Sequence, residues 1–195
     1  MTVHTQNYAA ALQAVLDALD DAMPSVTTDS PNDHLRRIAG RLVSKALTMN
    51  VNNGTQSVNA FQVTGTVLIK KLYGFLTNAA TLTNCTAAHF ELDDGAAQVD
   101  LTKNDGVLSA LPVGTFVCKN DLAAATMGIA DCTNGALTEA NADKEGFKEF
   151  LVTQKTGQNT YIRFTYTSTD APAAAVLTVY CEYVVLDGTG AVAAV

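Results

Sequence analysis

The residues that most often carry chemistry are spread thinly along this sequence. The three histidines, His4, His34 and His89, lie far apart, and no nucleophile with a local catalytic signature accompanies them. His89 alternates with Phe90 and Leu92 in a strand-like run, so we expect its side chain to face solvent or an interface. The cysteines lack zinc-finger spacing, and no glycine-rich phosphate loop occurs. The residues alone therefore predict no catalytic residue, no metal site and no cofactor.

Two pairs of carboxylates are close enough in sequence to be considered together. Glu91 could pair with Asp93 as the two carboxyl groups of a glycosidase. Glu145 and Glu149 offer a second such pair, but scattered acids are the normal state of an acidic protein. The run Asp93–Gly95 could offer oxygens to Ca²⁺, but it lacks EF-hand spacing and we interpret it as a turn. An enzyme whose site is assembled from distant residues is the least favoured hypothesis.

Composition and charge narrow the class of partner. The chain has 195 residues, a hydrophobic content of 48% and a formal net charge of −7. An acidic surface repels phosphate backbones, so nucleic acid is not expected as a partner. The N-terminus lacks the basic region of a signal peptide, and no apolar run reaches the roughly 20 residues of a membrane span. We therefore expect a protein made in the cytoplasm, away from membranes, with reduced structural thiols.

Two amphipathic helices are predicted before the strands begin. The first covers residues 7–23 and ends at Pro24. The second begins at Ser30 as its N-cap, with Pro31 in the first helical position, and runs to about Leu47. The helices either cover each other or the sheet, or form an arm that binds a neighbouring subunit. In the second case the interface is the apolar face of the arm, made of Leu12, Val15, Leu19, Leu35, Ile38 and Leu42.

The rest of the chain reads as short strands. Phe61–Lys71 alternates strictly between two faces, which predicts one long strand. Ala175–Leu186 alternates in the same way, and its odd-numbered apolar residues, from Leu177 to Val185, should face the core. About eight or nine strands separated by Gly, Pro and Asx turns predict a mainly β fold, an antiparallel jelly-roll-like sandwich. The predicted domains are residues 1–57 for the helical arm and linker, 58–187 for the sandwich and 188–195 for a flexible tail.

One strand and one later segment carry a resemblance to a known group of proteins. Val63, Gly65, Val67 and Ile69 form the pattern V-x-G-x-V-x-I, and a Thr-rich region then leads to the P-V-G-T segment Pro112–Thr115. Over residues 58–186 the chain thereby resembles small structural proteins encoded by tailed bacteriophages and prophages. The resemblance implies a non-enzymatic virion component, either a capsid decoration or cement protein or a head or tail fibre module, commonly trimeric. Its partners would be the major capsid protein or other virion proteins.

A carbohydrate- or receptor-binding fibre module is the alternative function. Many jelly rolls bind sugars, and such a site needs exposed aromatic side chains in a groove. The candidates are Tyr161, Tyr166, Tyr180 and Tyr183.

Overall fold

The computed structural model describes residues 40–49, 54–78, 84–120, 127–130, 147–169 and 175–195. All of them except Gly40 belong to the larger of two units, Arg41–Val195. These residues are mainly β, in two antiparallel sheets, and among them no helix could cross a membrane. The strands are β1 (Arg41–Met49), β2 (Gly54–Thr64), β3 (Thr66–Asn78), β4 (Cys85–Asp93), β5 (Gln98–Asp100), β6 (Phe116–Cys118), β7 (Gly128–Ala130), β8 (Phe150–Thr153), β9 (Thr160–Ser168), β10 (Ala175–Val185) and β11 (Ala191–Ala194).

The first sheet has the strand order β1-β10-β3-β6-β7, and β8 pairs with β3 as well. Because β10 takes one edge of β3, strands β6 and β8 share its other edge. β8 pairs with the first half of β3, from Thr66 to Ile69, and β6 pairs with Tyr73–Phe75. The second sheet has the order β11-β2-β9-β4-β5.

The core fills the space between the two sheets. The largest buried side chains of the second sheet include Phe61, Phe90, Phe164 and Tyr166. The rings of Phe90 and Phe164 meet edge to face with centroids 5.2 Å apart, a favourable aromatic geometry. The first sheet contributes the predicted face of β10, where every odd-numbered residue from Leu177 to Val185 is buried. The prediction of that inward face is therefore confirmed.

Phe61–Lys71 is two strands and not one, which corrects the prediction. Gly65 has a φ of +58° and ends β2, and β3 then begins in the other sheet. The alternation still holds across the break, since Val63 and Val67 are both fully buried. Both sheets face the same core, so the apolar period continues although the strand does not.

Strand β1 corrects the second predicted helix. The prediction of a helix as far as Leu47 is wrong over its last seven residues, because Arg41–Met49 is a strand. Every residue of β1 pairs with β10, and Leu47 and Met49 enter the core. The spacing of the apolar residues in this segment fits both the helical and the strand period, so pairing with β10 decided that the segment forms a strand. Apart from Gly40, which is not helical, the rest of the two predicted helices lies outside the described residues.

The predicted domain limits also differ from the observed strands. The boundary between residues 57 and 58 falls inside β2, which pairs with β9 from Gly54 onward. The predicted tail, residues 188–195, contains β11, which pairs with β2 and buries Val192. Its Ala-rich composition supplies little side-chain volume, which is why the strand pattern is weak there.

Buried thiols make the fold sensitive to alkali. Burial raises the pKa of Cys85 and of Cys181 to about 12, from an ordinary value of 9.0. Between these pH values the unfolded chain loses thiol protons that the folded chain keeps, so the stability of the fold must fall as pH rises. The expected loss approaches about 1.4 kcal/mol per thiol for each pH unit in that window.

Urea unfolding at about pH 8 and about pH 10.5 measures this loss. Cys181→Val, which keeps an apolar side chain in the core, should have a shallower dependence of stability on pH than the parent chain. An equal dependence in both proteins would contradict the assignment of the effect to this thiol.

Candidate functional site

The strongest polar cluster lies on the face of the second sheet that points away from the core. His89 and Glu91 are two residues apart on β4, so their side chains share that face. Asp100 on β5 pairs directly with Glu91 across the antiparallel ladder. His89 and Glu91 are each only 4% exposed. Charged and polar groups so deeply buried require partners, because burial without them is costly.

Arg163 on β9 forms ion pairs with two carboxylates of β4. It pairs with Glu91 in the ladder, and its Nε donates to Glu91 Oε1 at 2.7 Å. One terminal nitrogen reaches the same oxygen, and the other, Nη1, donates to Asp93 Oδ2 at 2.6 Å. Glu91 and Asp93 are therefore held together by one guanidinium. Because one arginine binds both carboxylates, the pair does not have the separate acid and base of a glycosidase.

The position of His89 differs from the prediction. Its side chain does lie opposite Phe90, but it is buried and not turned to solvent. A register shift in β4 before His89 leaves Ala87 with a φ of +52°, and the Ala87 carbonyl oxygen lies 2.7 Å from His89 Nδ1. The other ring nitrogen, Nε2, lies 3.5 Å from Glu91 Oε2 and 3.6 Å from Asp100 Oδ1.

These three groups could hold a cation. One donor atom from each of His89, Glu91 and Asp100 lies within 4.8 Å of the other two. The sequence alone does not reveal this set, because Asp100 joins it only through the β4–β5 hairpin. The signal that could have indicated it is the H-x-E spacing of His89 and Glu91, which places both side chains on one face of a strand.

The remaining predicted polar motif is a turn. The backbone N–H groups of Ala96 and Ala97 donate to Asp94 Oδ1, and the N–H of Gly95 donates to Asp93 Oδ1. The N–H groups of Ala97 and Ala96 hold the pKa of Asp94 below its usual value. The interpretation of Asp93–Gly95 as a turn is confirmed. Of the second predicted carboxylate pair, Glu149 is exposed and Glu145 lies outside the described residues.

A second surface lies on the outer side of the first sheet and is aromatic. We call it the aromatic face, and it consists of Tyr73, Phe75, Phe116, Phe147 and Tyr180. Tyr73 and Tyr180 pair across β3 and β10, and their rings stack with centroids 5.2 Å apart. Lys71 lies over the ring of Phe147 and forms an ion pair with Glu182 at 2.9 Å.

The predicted binding residues are divided between core and surface. Tyr166 and Tyr183 are buried, Tyr161 is half-buried on β9, and Tyr180 belongs to the aromatic face. Of the predicted interface, Leu42 lies on β1 and is 62% exposed. The other five interface residues lie outside the described part of the chain.

No protein-family model, no curated protein and no solved structure matches this chain. The resemblance to phage structural proteins therefore stays a prediction. The structure adds two kinds of information to this prediction: the order in which the strands pair, and the two surfaces, which are the charged cluster around Glu91 and the aromatic face.

Proposed function

We propose that the two sheets form a jelly roll. Four antiparallel strand pairs are nested along the chain: β1 with β10, β2 with β9, β3 with β8 and β4 with β5. Two further pairings, β10 with β3 and β9 with β4, fold this ribbon of pairs into two sheets. Strands β6 and β7 are then an insertion between β5 and β8. Two sheets built from such nested pairs support the jelly-roll assignment, and jelly rolls occur in viral capsid and lectin domains.

The chain is, on this proposal, a non-enzymatic structural protein of a virion that decorates or cements the capsid. The nested strand pairing carries the proposal, because this topology is one that viral shells use. The V-x-G-x-V-x-I strand and the P-V-G-T segment support the same role by resemblance. The partners are the major capsid protein and sister subunits, with a trimer favoured. Many weak contacts on a repeating lattice can sum to tight attachment.

Strand β1 offers a contact surface for such assembly. Among the strands that the structure describes, it lies at the edge of the first sheet, with β10 on one side. A strand at the edge of a sheet can pair through its backbone N–H and C=O groups with a neighbouring chain. Leu42 adds an apolar side chain that is 62% exposed.

Leu42→Asp is expected to weaken assembly without unfolding the chain. Burying a leucine at a contact contributes about 2 kcal/mol, and the substitution also places a charge there. Size-exclusion chromatography with light scattering should find an oligomer for the parent chain and a shift toward monomer for the variant. Leu151→Asp is the matched control, since Leu151 is 60% exposed on β8 of the same sheet. A monomeric parent chain would overturn the proposal.

The aromatic face favours a second candidate, a carbohydrate-binding fibre module. The stacked rings of Tyr73 and Tyr180 offer the flat apolar surface on which sugar rings pack. A glycan array probed with the parent chain and with Tyr180→Ala tests it. Binding that the variant loses would support this candidate, and an array without binding would remove it.

A further inference from the structure

We infer that His89, Glu91 and Asp100 form a binding site for a divalent transition-metal ion, with Zn²⁺ the best fit. This inference is independent of the proposed virion role. It rests on the hydrogen bonding of His89, the distances between the donor atoms and the charge of the surrounding groups.

The hydrogen bond of His89 fixes which ring nitrogen faces the carboxylates. A carbonyl oxygen can only accept, so the Nδ1 atom 2.7 Å from Ala87 O must carry the proton. Nε2 is then the ring nitrogen left for a metal ion, and it lies 3.5 Å from Glu91 Oε2 and 3.6 Å from Asp100 Oδ1. Three donor atoms from two strands therefore converge at one point, as the binding of a cation requires. Histidines that bind metals usually donate their other N–H to a carbonyl or carboxylate, as His89 does.

The distances suit a small tetrahedral ion. An ion with ligand distances of about 2.1 Å holds its donor atoms about 3.4 Å apart. His89 Nε2 lies 3.5 Å and 3.6 Å from the two carboxylate oxygens. One imidazole nitrogen and two carboxylate oxygens suit Zn²⁺ better than Ca²⁺, which needs six to eight oxygens. The side chain of Asp100 is 46% exposed, which opens the site to solvent for entry of the ion and for a water ligand.

The charged side chains around the site have a net negative charge. Arg163 binds Glu91 through Oε1, which leaves Oε2 directed at His89. Among the described residues, Arg163 forms ion pairs with Glu91 and Asp93, and Asp100 adds a third carboxylate beside His89, so the carboxylates of the cluster outnumber its arginine by two. A divalent ion balances this difference and joins β4 to β5 at the end of the hairpin.

The test is zinc binding by the full-length chain, freed of metal with a chelator and followed by isothermal titration calorimetry. We expect a single zinc ion per chain, a rise in melting temperature with zinc, and no comparable response to calcium. Asp100→Asn changes a half-exposed ligand, so the chain should fold, and its affinity for zinc should fall by at least about tenfold. His89→Gln should have the same effect. Glu182→Gln, on the other sheet, is the control and should bind zinc like the parent chain.

Two outcomes would overturn the inference. If the parent chain does not bind zinc, the three side chains do not form a metal site. If Asp100→Asn and His89→Gln bind zinc as tightly as the parent chain, the ion is bound elsewhere. Cobalt substitution adds a direct readout, because a tetrahedral site has characteristic visible absorption that both variants should lose.

Discussion

Arg163→Met is expected to destabilise the folded chain by about 3–5 kcal/mol, since removing one partner of a buried ion pair leaves an uncompensated charge. The side chains of Arg163 and Glu91 are only 13% and 6% exposed. Arg163 also neutralises Asp93, so its loss affects two carboxylates on the same strand. Methionine keeps most of the volume of the arginine stem, which isolates the effect of the charge. Chemical denaturation in the presence of a chelator measures the loss without a contribution from metal.

A double variant and a surface control make this prediction sharper. Arg163→Met combined with Glu91→Gln should recover much of the loss, because the most buried unpaired charge is then gone. Lys71→Met removes a cation from an ion pair whose lysine side chain is 45% exposed, so it should cost no more than about 1 kcal/mol. Equal losses from Arg163→Met and Lys71→Met would show that the buried cluster does not depend on its arginine.

Gly65→Ala is expected to cost about 2–4 kcal/mol, from backbone strain of about 1 kcal/mol and from overpacking. Gly65 has a φ of +58°, where a Cβ atom is unfavourable. The added Cβ would also lie 2.6 Å from Asp187 Oδ1 and 2.7 Å from the backbone nitrogen of Gly190. The backbone N–H and the hydroxyl of Thr189 both donate to Asp187 Oδ1, and these hydrogen bonds hold the loop close to Gly65.

Alanine variants of two other glycines distinguish the cost of backbone strain from the cost of close contact. Gly157 has a φ of +75° but open space around its Cβ position, so Gly157→Ala should cost only the strain of about 1 kcal/mol. Gly188 lies in the loop that Gly65 touches and has open space with no positive φ, so Gly188→Ala should be nearly neutral. Denaturant unfolding of the three variants ranks them by their loss of stability. A Gly65→Ala loss no greater than that of Gly157→Ala would refute the close approach of this loop.

Several features of the fold could be predicted because they depend on local periodicity. The alternation in Ala175–Leu186 identified both β10 and its buried face, since inward and outward positions alternate in any strand. The turn at Asp93–Gly95 was predictable because aspartate side chains bind the backbone N–H groups that follow them. The mainly β, antiparallel class followed from the number of such segments and the turns between them.

The charged cluster could not be predicted, because its members meet only through strand pairing. Glu91 is adjacent to Asp100 through the β4–β5 hairpin and to Arg163, which is 72 residues away in sequence, through a second ladder. The burial of Lys119 has the same origin. Its ammonium group donates to the carbonyl of Leu101 at 2.7 Å and lies over the ring of Phe150, two partners that no local pattern brings together.

The amino-acid sequence by itself determined that this chain is a β protein and which faces of its most regular strands are apolar. Both properties follow from the alternation of apolar and polar side chains along the chain. Tertiary structure alone decided that residues 41–49 form a strand, that Gly65 sends the chain from one sheet to the other, and that His89 is buried against two carboxylates. Each of these features depends on which distant strand pairs with the segment and which distant side chains bury it, and the whole fold determines both.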